Sequence, residues 1–105
     1  MPNRQPLFIN GSHYYDQDFD AREEHGEVAI VHYASRRTKK IRVWKIGALH
    51  RDPTDGTQRF VGFLSVFAGL YYVTLRGKSD VEIKRIPTKA EALDLLRWAV
   101  QRFYP

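Results

Sequence analysis

The stretch VEIKRIPTKAEALDLLRWAVQRF, residues 81–103, decides the fold class. Its first six residues mix β-branched and charged side chains as a strand does, and Pro87 ends that strand. Thr88 and Glu91 form the T-x-x-E pattern of a helix capping box. The helix predicted over 88–103 has one apolar stripe at helical spacing, at positions 92, 93, 96, 99, 100 and 103. The stretch therefore predicts a strand and then an amphipathic helix that lays this stripe on a sheet.

More strands are predicted upstream of this unit. They form two antiparallel hairpins, EVAIVHY (27–33) with KIRVWKI (40–46) and RFVGFLSVF (59–67) with LYYVTLR (70–76). The second hairpin turns at Ala68-Gly69. We predict an α+β fold, with a four- to five-stranded, mostly antiparallel sheet over 26–86 and one C-terminal amphipathic helix packed on one face.

The remaining segments are predicted as loops. ALHRDPTDGTQ (48–58) contains the turn dipeptides Asp52-Pro53 and Asp55-Gly56. Residues 1–25 form an acidic, loop-rich segment in which only LFIN (7–10) has the composition of a short strand. The whole layout resembles that of small nucleic-acid-binding sheets that end in a helix, such as the Whirly and coactivator single-strand-binding families. The resemblance is one of layout and carries no residue motif.

Composition sets the broad class of protein. A chain of 105 residues fits one domain, 1–105, and 43% hydrophobic residues supply a core without disulfides or metal. The absence of cysteine excludes a disulfide scaffold and thiolate zinc sites. No apolar run is long enough for a signal peptide or a membrane span, which predicts a cytoplasmic protein with no membrane partner.

The charge is unevenly distributed along the chain. Residues 1–33 hold two Lys or Arg residues and six carboxylates, whereas 34–105 hold fifteen and six. A block without any carboxylate carries seven cations: Arg36, Arg37, Lys39, Lys40, Arg42, Lys45 and Arg51. Blocks of one sign repel themselves, and a partner of opposite sign relieves that repulsion. The partner is either phosphate or the acidic N-terminal segment of the same chain.

Trp44 lies within this cationic block. Strand alternation places Ile41 and Val43 on the core face. The other face then carries Lys40, Arg42, Trp44 and Ile46. An aromatic ring among cations on an open sheet face suits single-stranded DNA or RNA, because bases stack on the ring while cations hold the phosphates. The competing interpretation is an ordinary exposed strand, where lysines discourage aggregation and tryptophan packs within the protein.

The acidic segment 16–27 has three interpretations. As a flexible anionic chain it masks the basic face until phosphate displaces it, and as a plain loop it is only solvated. Asp16, Asp18, Asp20 and Glu27 also match the carboxylate spacing of an EF-hand loop. Ala21 stands where that loop requires glycine, and no helix precedes it, so we predict no calcium site.

Catalytic and metal motifs are not found. The histidines, at 13, 25, 32 and 50, lack metal-ligand spacing, and no serine lies in a nucleophile elbow. His50, Arg51 and Asp52 are adjacent in a predicted loop, a combination capable of acid–base chemistry but common in polar turns. We predict a non-enzyme without cofactor or metal.

Trp98 lies on the side of the helix away from the apolar stripe, among Glu91, Asp94, Gln101 and Arg102. Arg102 stacked on the indole, or the N-terminal segment covering it, would be an intramolecular explanation. Trp98 and Arg102 otherwise predict a protein interface, since tryptophan is enriched where proteins meet. The partner is a second copy in a homodimer, or a larger protein that this chain binds as an adaptor or inhibitor, of the kind that viruses and accessory elements encode.

Overall fold

The protein has eight β-strands and one α-helix in the parts of the chain that its computed structural model describes, which are residues 6–9, 12–15, 19–36, 42–77 and 80–104. Only the backbone is described for the first two strands, for Asp20 and for residues 34–36 and 42–44. The strands are β1 Pro6–Ile9, β2 Ser12–Tyr15, β3 Phe19–His25, β4 Val28–Arg36, β5 Arg42–Arg51, β6 Gln58–Phe67, β7 Leu70–Leu75 and β8 Val81–Ile86, and the helix is α1 Lys89–Phe103.

Strands β3 to β8 form one antiparallel sheet in chain order, and β1 and β2 form a separate hairpin. The prediction of an α+β fold with an antiparallel sheet and a C-terminal helix is confirmed. The predicted count of four to five strands is too low, since the sheet alone contains six. Both predicted hairpins are present, as β4 with β5 and β6 with β7.

The tight connection between β6 and β7 has a backbone explanation. Ala68 and Gly69 both have positive φ, at 51° and 77°. Two consecutive residues of positive φ match the twist of a two-residue hairpin turn, and glycine at the second position adopts it without strain. The predicted turn is therefore confirmed at these two residues.

The helix begins as its sequence predicts. The Thr88 hydroxyl accepts a hydrogen bond of 3.2 Å from the Glu91 backbone N–H. Of the six stripe positions, Ala92, Leu96, Ala99 and Val100 are buried, and Leu93 and Phe103 are partly buried against the same core. The helix, the single one within the described ranges, is neither long nor apolar enough to cross a membrane.

The six-stranded sheet has an apolar cluster on each face. The helix-side core combines the stripe of α1 with residues of β4, β5, β7 and β8, among them Val28, Ile46, Val73 and Ile86. The second cluster contains Ala29, Val31, Tyr33 and Leu49, with Phe19 and Phe60 packed against it. Strand β4 contributes to both clusters, which explains its continuous apolar run.

Ile46 corrects the predicted faces of β5. Alternation over 40–46 placed it on the outward face with Arg42 and Trp44. Instead, Ile46 is only 5% exposed and belongs to the helix-side core. The side chains of Arg42 and Trp44, and all of Ile41, lie outside the described part of the chain, so their predicted directions remain predictions.

The acidic segment is not a flexible loop over its described part. Residues 19–25 form β3, which pairs with β4 across a turn at Gly26-Glu27. Residues 48–51, also predicted as loop, continue β5 to Arg51. Both errors have the same cause, because polar side chains in these strands are held by partners that are distant in sequence.

Glu23 of β3 is the clearest example of such a polar side chain. Both of its carboxylate oxygens accept hydrogen bonds from Arg97 Nε, at 2.9 and 3.0 Å, and Oε1 also lies 2.8 Å from His25 Nε2. One turn further along α1, Gln101 Nε2 lies 3.4 Å from His25 Nδ1. The helix also packs on β7 and β8 at the opposite edge of the sheet. The sheet therefore curves around the helix, and β3 is fastened to it by polar contacts.

We expect Glu23→Gln to lower the free energy of unfolding at pH 7 by about 0.5–1 kcal/mol, the size typical of partly exposed ion pairs. Partial burial alone raises the pKa of the Glu23 carboxyl, but hydrogen bonds with His25 and Arg97 outweigh it, so the pKa lies below its ordinary value. A lowered carboxyl pKa stabilises the fold above the unfolded-state pKa, and this stabilisation disappears as pH falls through the folded-state pKa.

Urea titrations of parent and variant at pH 7 and at about pH 3 measure this effect, and the difference between them is expected to shrink at the lower pH. Glu82→Gln is the matched control, since Glu82 is exposed on β8 and its carboxylate lies 3.9 Å from Lys84 Nζ, a longer ion pair than that of Glu23. A difference that persists unchanged at low pH contradicts the ion-pair explanation.

Candidate functional site

The two hairpins of the sheet separate at one end. Strands β5 and β6 pair from Arg51 with Gln58 as far as Ile46 with Leu64. Beyond that point β5 continues only with β4, and β6 continues only with β7. A cleft of about 570 Å³ lies where the hairpins diverge.

The cleft is lined by cations and aromatic rings. Lys45 reaches it from the β4–β5 hairpin, and Lys89 from the first turn of α1. Tyr33, Phe63 and Tyr71 supply the rings, and His32 lines the same space. The described lining residues include no carboxylate, so the charged groups among them, Lys45 and Lys89, are both cations, and apolar residues such as Ile46 and Leu64 complete the walls.

The rings continue across the sheet as an aromatic row, Tyr33, Phe60 and Phe63. Tyr33 and Phe60 have ring centroids 4.7 Å apart, and Phe60 and Phe63 are 5.4 Å apart. The row is made possible by Gly47 of β5, where a Cβ atom would lie 2.8 Å from the Phe60 ring. Phe63, at the end of the row, is 38% exposed and presents its ring at the cleft.

Most of the predicted basic site lies outside the described side chains. Arg37, Lys39 and Lys40 fall outside the described residues altogether. Arg36 and Arg42 are backbone partners at the end of the β4–β5 hairpin, and Ala34 pairs with Trp44, but the side chains of Arg36, Arg42 and Trp44 are not described. Lys45 and Arg51 are the described members of the set, and Lys45 lies in the cleft.

Arg51 is separated from the other predicted cations. It lies at the far end of β5, about 20 Å from Lys45 along the strand. Its backbone N–H donates to the Glu27 carbonyl, and it lines a small cavity with Arg22, Glu24 and Glu27. Arg51 therefore does not form one continuous patch with Lys45, because the two residues lie near opposite ends of the strand.

The triplet at 50–52 is divided among different partners. His50 Nε2 lies 3.2 Å from a Glu27 oxygen, and its ring packs 5.4 Å from that of Tyr104. The Asp52 carboxylate instead accepts hydrogen bonds from the side chain and backbone of Thr54, which lower its pKa. The Asp52 carboxylate therefore stabilises the turn that follows β5. Among the residues the structure describes, no group of three His, Asp or Glu side chains is placed to hold a metal ion.

Trp98 is half exposed, at 51%, on the outer face of α1. Its indole meets Phe103 edge-on, with centroids 6.3 Å apart, although the helical-wheel argument placed these residues almost opposite each other. Arg102 lies over the Phe103 ring, 5.4 Å from its centroid, so it packs on the phenylalanine and not on the indole, as one of the two intramolecular explanations required.

Sequence reasoning missed the cleft and the aromatic row. A glycine inside a strand often marks a close approach of neighbouring groups, and Gly47 in KIGAL is such a residue. Comparison of the chain with models of protein families, with characterised proteins and with solved structures found no match.

Proposed function

We propose that the protein is a non-catalytic, cytoplasmic binder of single-stranded DNA or RNA, and that the cleft between its two hairpins is part of the binding surface. The observation that carries the proposal is the meeting of Lys45 and Lys89 with Phe63 and Tyr71 in one cleft. Proteins that bind single strands combine these two kinds of side chain, aromatic rings for the bases and cations for the backbone.

The cleft has room for unpaired bases. Its volume of about 570 Å³ lies within the range of small-molecule sites, roughly 300–1,000 Å³. Phe63 offers a partly exposed ring whose orientation is supported by Phe60 behind it. Stacking on such a ring contributes about 1–3 kcal/mol per base and tolerates any sequence.

The phosphates are assigned to the cations on either side of these rings. Lys45 lines the cleft, and the β4–β5 hairpin continues from it to the backbone pair of Arg36 and Arg42, with Arg37, Lys39 and Lys40 between these two in sequence. We assign these five to the phosphate backbone of the nucleic acid and Trp44 to a further base. Lys89 adds charge at the N-terminus of α1, where the helix dipole also favours an anion. Arg51 lies outside this path.

A single strand suits this surface better than a duplex. A duplex-reading helix carries basic residues along the face that enters the groove. The outer face of α1 instead mixes Glu91 and Asp94 with Arg102. The cleft admits individual bases, which a duplex keeps stacked and paired.

We expect the double variant Lys45→Ser/Lys89→Ser to weaken single-strand binding and its dependence on salt. Phosphate contacts release counterions, so log affinity falls linearly with log salt, with a slope of about −0.7 per contact for single strands. Loss of two contacts should reduce that slope by about 1.4. Fluorescence anisotropy of labelled single-stranded DNA, single-stranded RNA and duplex at 50 and 200 mM salt, about a fourfold range, measures it.

The matched control is Arg59→Ser/Lys84→Ser. It removes the same charge from exposed positions on β6 and β8 that do not line the cleft. The control should keep the parent's slope. Equal losses of affinity and slope in both double variants would show that only the net charge matters, and would contradict a site at the cleft. Failure of the parent protein to bind any of the three probes at the lower salt concentration would overturn the proposed function.

Exposed Trp98 favours a second function, the docking of a protein partner as an adaptor or inhibitor. The two functions respond differently to salt. Docking through an aromatic anchor loses less affinity with salt than phosphate binding does.

A further inference from the structure

We propose that the outer face of α1 pairs with the same face of a second copy, antiparallel and about a two-fold axis at Trp98. This proposal is independent of nucleic-acid binding. Trp98 lies near the middle of a 15-residue helix and is one of the few large apolar side chains that the described structure leaves half exposed. Aromatic anchors of this kind concentrate at the centres of protein interfaces.

The charges around Trp98 are arranged symmetrically with opposite signs. Asp94 lies four residues before it and Arg102 four residues after it, so all three share one face of the helix. Each charged residue is about 6 Å along the axis from the indole, one on either side. The Asp94 side chain is 74% exposed, and Arg102 is exposed as well.

An antiparallel two-fold pairing places these opposite charges next to each other across the interface. When two identical helices cross at Trp98, each residue that precedes 98 faces the residue equally far beyond 98 in the other copy. Asp94 of each copy then meets Arg102 of the other, which forms two ion pairs around the paired indoles. Leu95, half-buried at three residues before Trp98, faces Gln101 at three residues after it.

The charge pattern favours a second copy of this chain over an unrelated protein as the partner of this face. A face that contacts a different protein has no need to be complementary to itself, whereas an isologous interface must be. In the monomer, Asp94 Oδ1 accepts from Arg97 Nη1 at 2.8 Å, and Arg102 lies over Phe103. On pairing, both side chains would exchange these contacts within one chain for contacts with the second copy.

Charge reversal tests the pairing. Asp94→Arg places two cations opposite each other, and Arg102→Asp places two carboxylates opposite each other, so each variant should lower dimer affinity at least about tenfold. An equimolar mixture of the two variants should dimerise again, because each mixed pair restores both attractions. The double variant Asp94→Arg/Arg102→Asp should dimerise by itself. Sedimentation velocity over about 5–200 μM protein measures the parent, each single variant, their mixture and the double variant.

The controls separate pairing from folding. Glu82→Arg reverses a charge on β8, away from this face, and should leave the dimer intact. Far- and near-ultraviolet circular dichroism shows whether each variant keeps the fold. A parent that stays monomeric throughout this range overturns the proposal in favour of a different protein on this face. Single variants that dimerise like the parent, or a mixture that stays monomeric, also overturn it.

Discussion

Gly77→Ala is expected to lower the free energy of unfolding by about 2–5 kcal/mol, through backbone strain and a steric clash together. Gly77 has φ of +131°, a conformation that residues with a side chain rarely adopt. A Cβ atom at this position would lie only 1.8 Å from the hydroxyl oxygen of Tyr104. Tyr104 is buried, and its hydroxyl donates to the Arg76 carbonyl at 3.0 Å, so it has little room to move. Thermal and urea unfolding measure the loss.

Two further variants separate the clash from the strain. Gly56 also has a positive φ, +74°, but a Cβ atom there meets nothing within 4 Å, so Gly56→Ala should cost only about 1–2 kcal/mol. Tyr104→Phe removes the clashing oxygen. Gly77→Ala should therefore cost at least about 1 kcal/mol less in the Tyr104→Phe background than in the parent. Equal costs in the two backgrounds would show that Tyr104 does not fill this space.

Phe63→Leu should weaken single-strand binding by about 5- to 150-fold, the equivalent of one lost stacked base. Leucine keeps the apolar bulk beside Phe60 and removes the flat ring, so stacking is lost with little effect on the fold. Because no phosphate contact is removed, the salt dependence of binding should stay that of the parent. Anisotropy titrations with one labelled oligonucleotide at two salt concentrations separate the two effects.

Phe67→Leu is the matched control. Phe67 belongs to the same strand and is 74% exposed, but it lies at the hairpin turn and does not line the cleft. Its substitution should leave affinity within about twofold of the parent. Equal losses of affinity in the two variants would mean that bases contact the whole β6–β7 hairpin. Parent-like affinity for Phe63→Leu would contradict the proposal that a base stacks on this ring.

The carboxyl-terminal third of the fold could be predicted because its determinants are local. Pro87, the Thr88 cap and the apolar stripe of α1 act within a few residues of each other, and the structure reproduces the strand and the helix that they predict. The turn at Ala68-Gly69 belongs to the same class, since its conformation depends on two adjacent residues.

Strand β3 could not be predicted in this way. FDAREEH has no apolar alternation, and its acids resemble those of a solvated loop. Glu23 and His25 are satisfied by Arg97 and Gln101 of the helix, more than seventy residues away in the chain. A polar strand that is stabilised by distant polar partners has no local pattern to reveal it.

The cleft was hidden for a related reason. Its walls depend on where β5 stops pairing with β6, and that register is set between strands, not within one. Both hairpins were predicted from their composition, whereas the register between them was not. The error at Ile46 shows the limit of alternation, which identifies two faces of a strand without indicating which face the helix covers.

The contact between α1 and β3 also bears on how the chain reaches its native state. Glu23 and Arg97 are 74 residues apart in sequence, and the helix covers Val28 and Ile30 of β4 as well as β7 and β8. Hairpins of this kind form within about 1–10 μs, since their strands adjoin. The helix-side core closes only when the last element meets the first strand of the sheet, after most of the loop-closure entropy has been lost. Because the strands of the sheet pair in chain order, the contacts of α1 with β3 and β4 are the ones most distant in sequence, and docking of α1 is the step that completes folding.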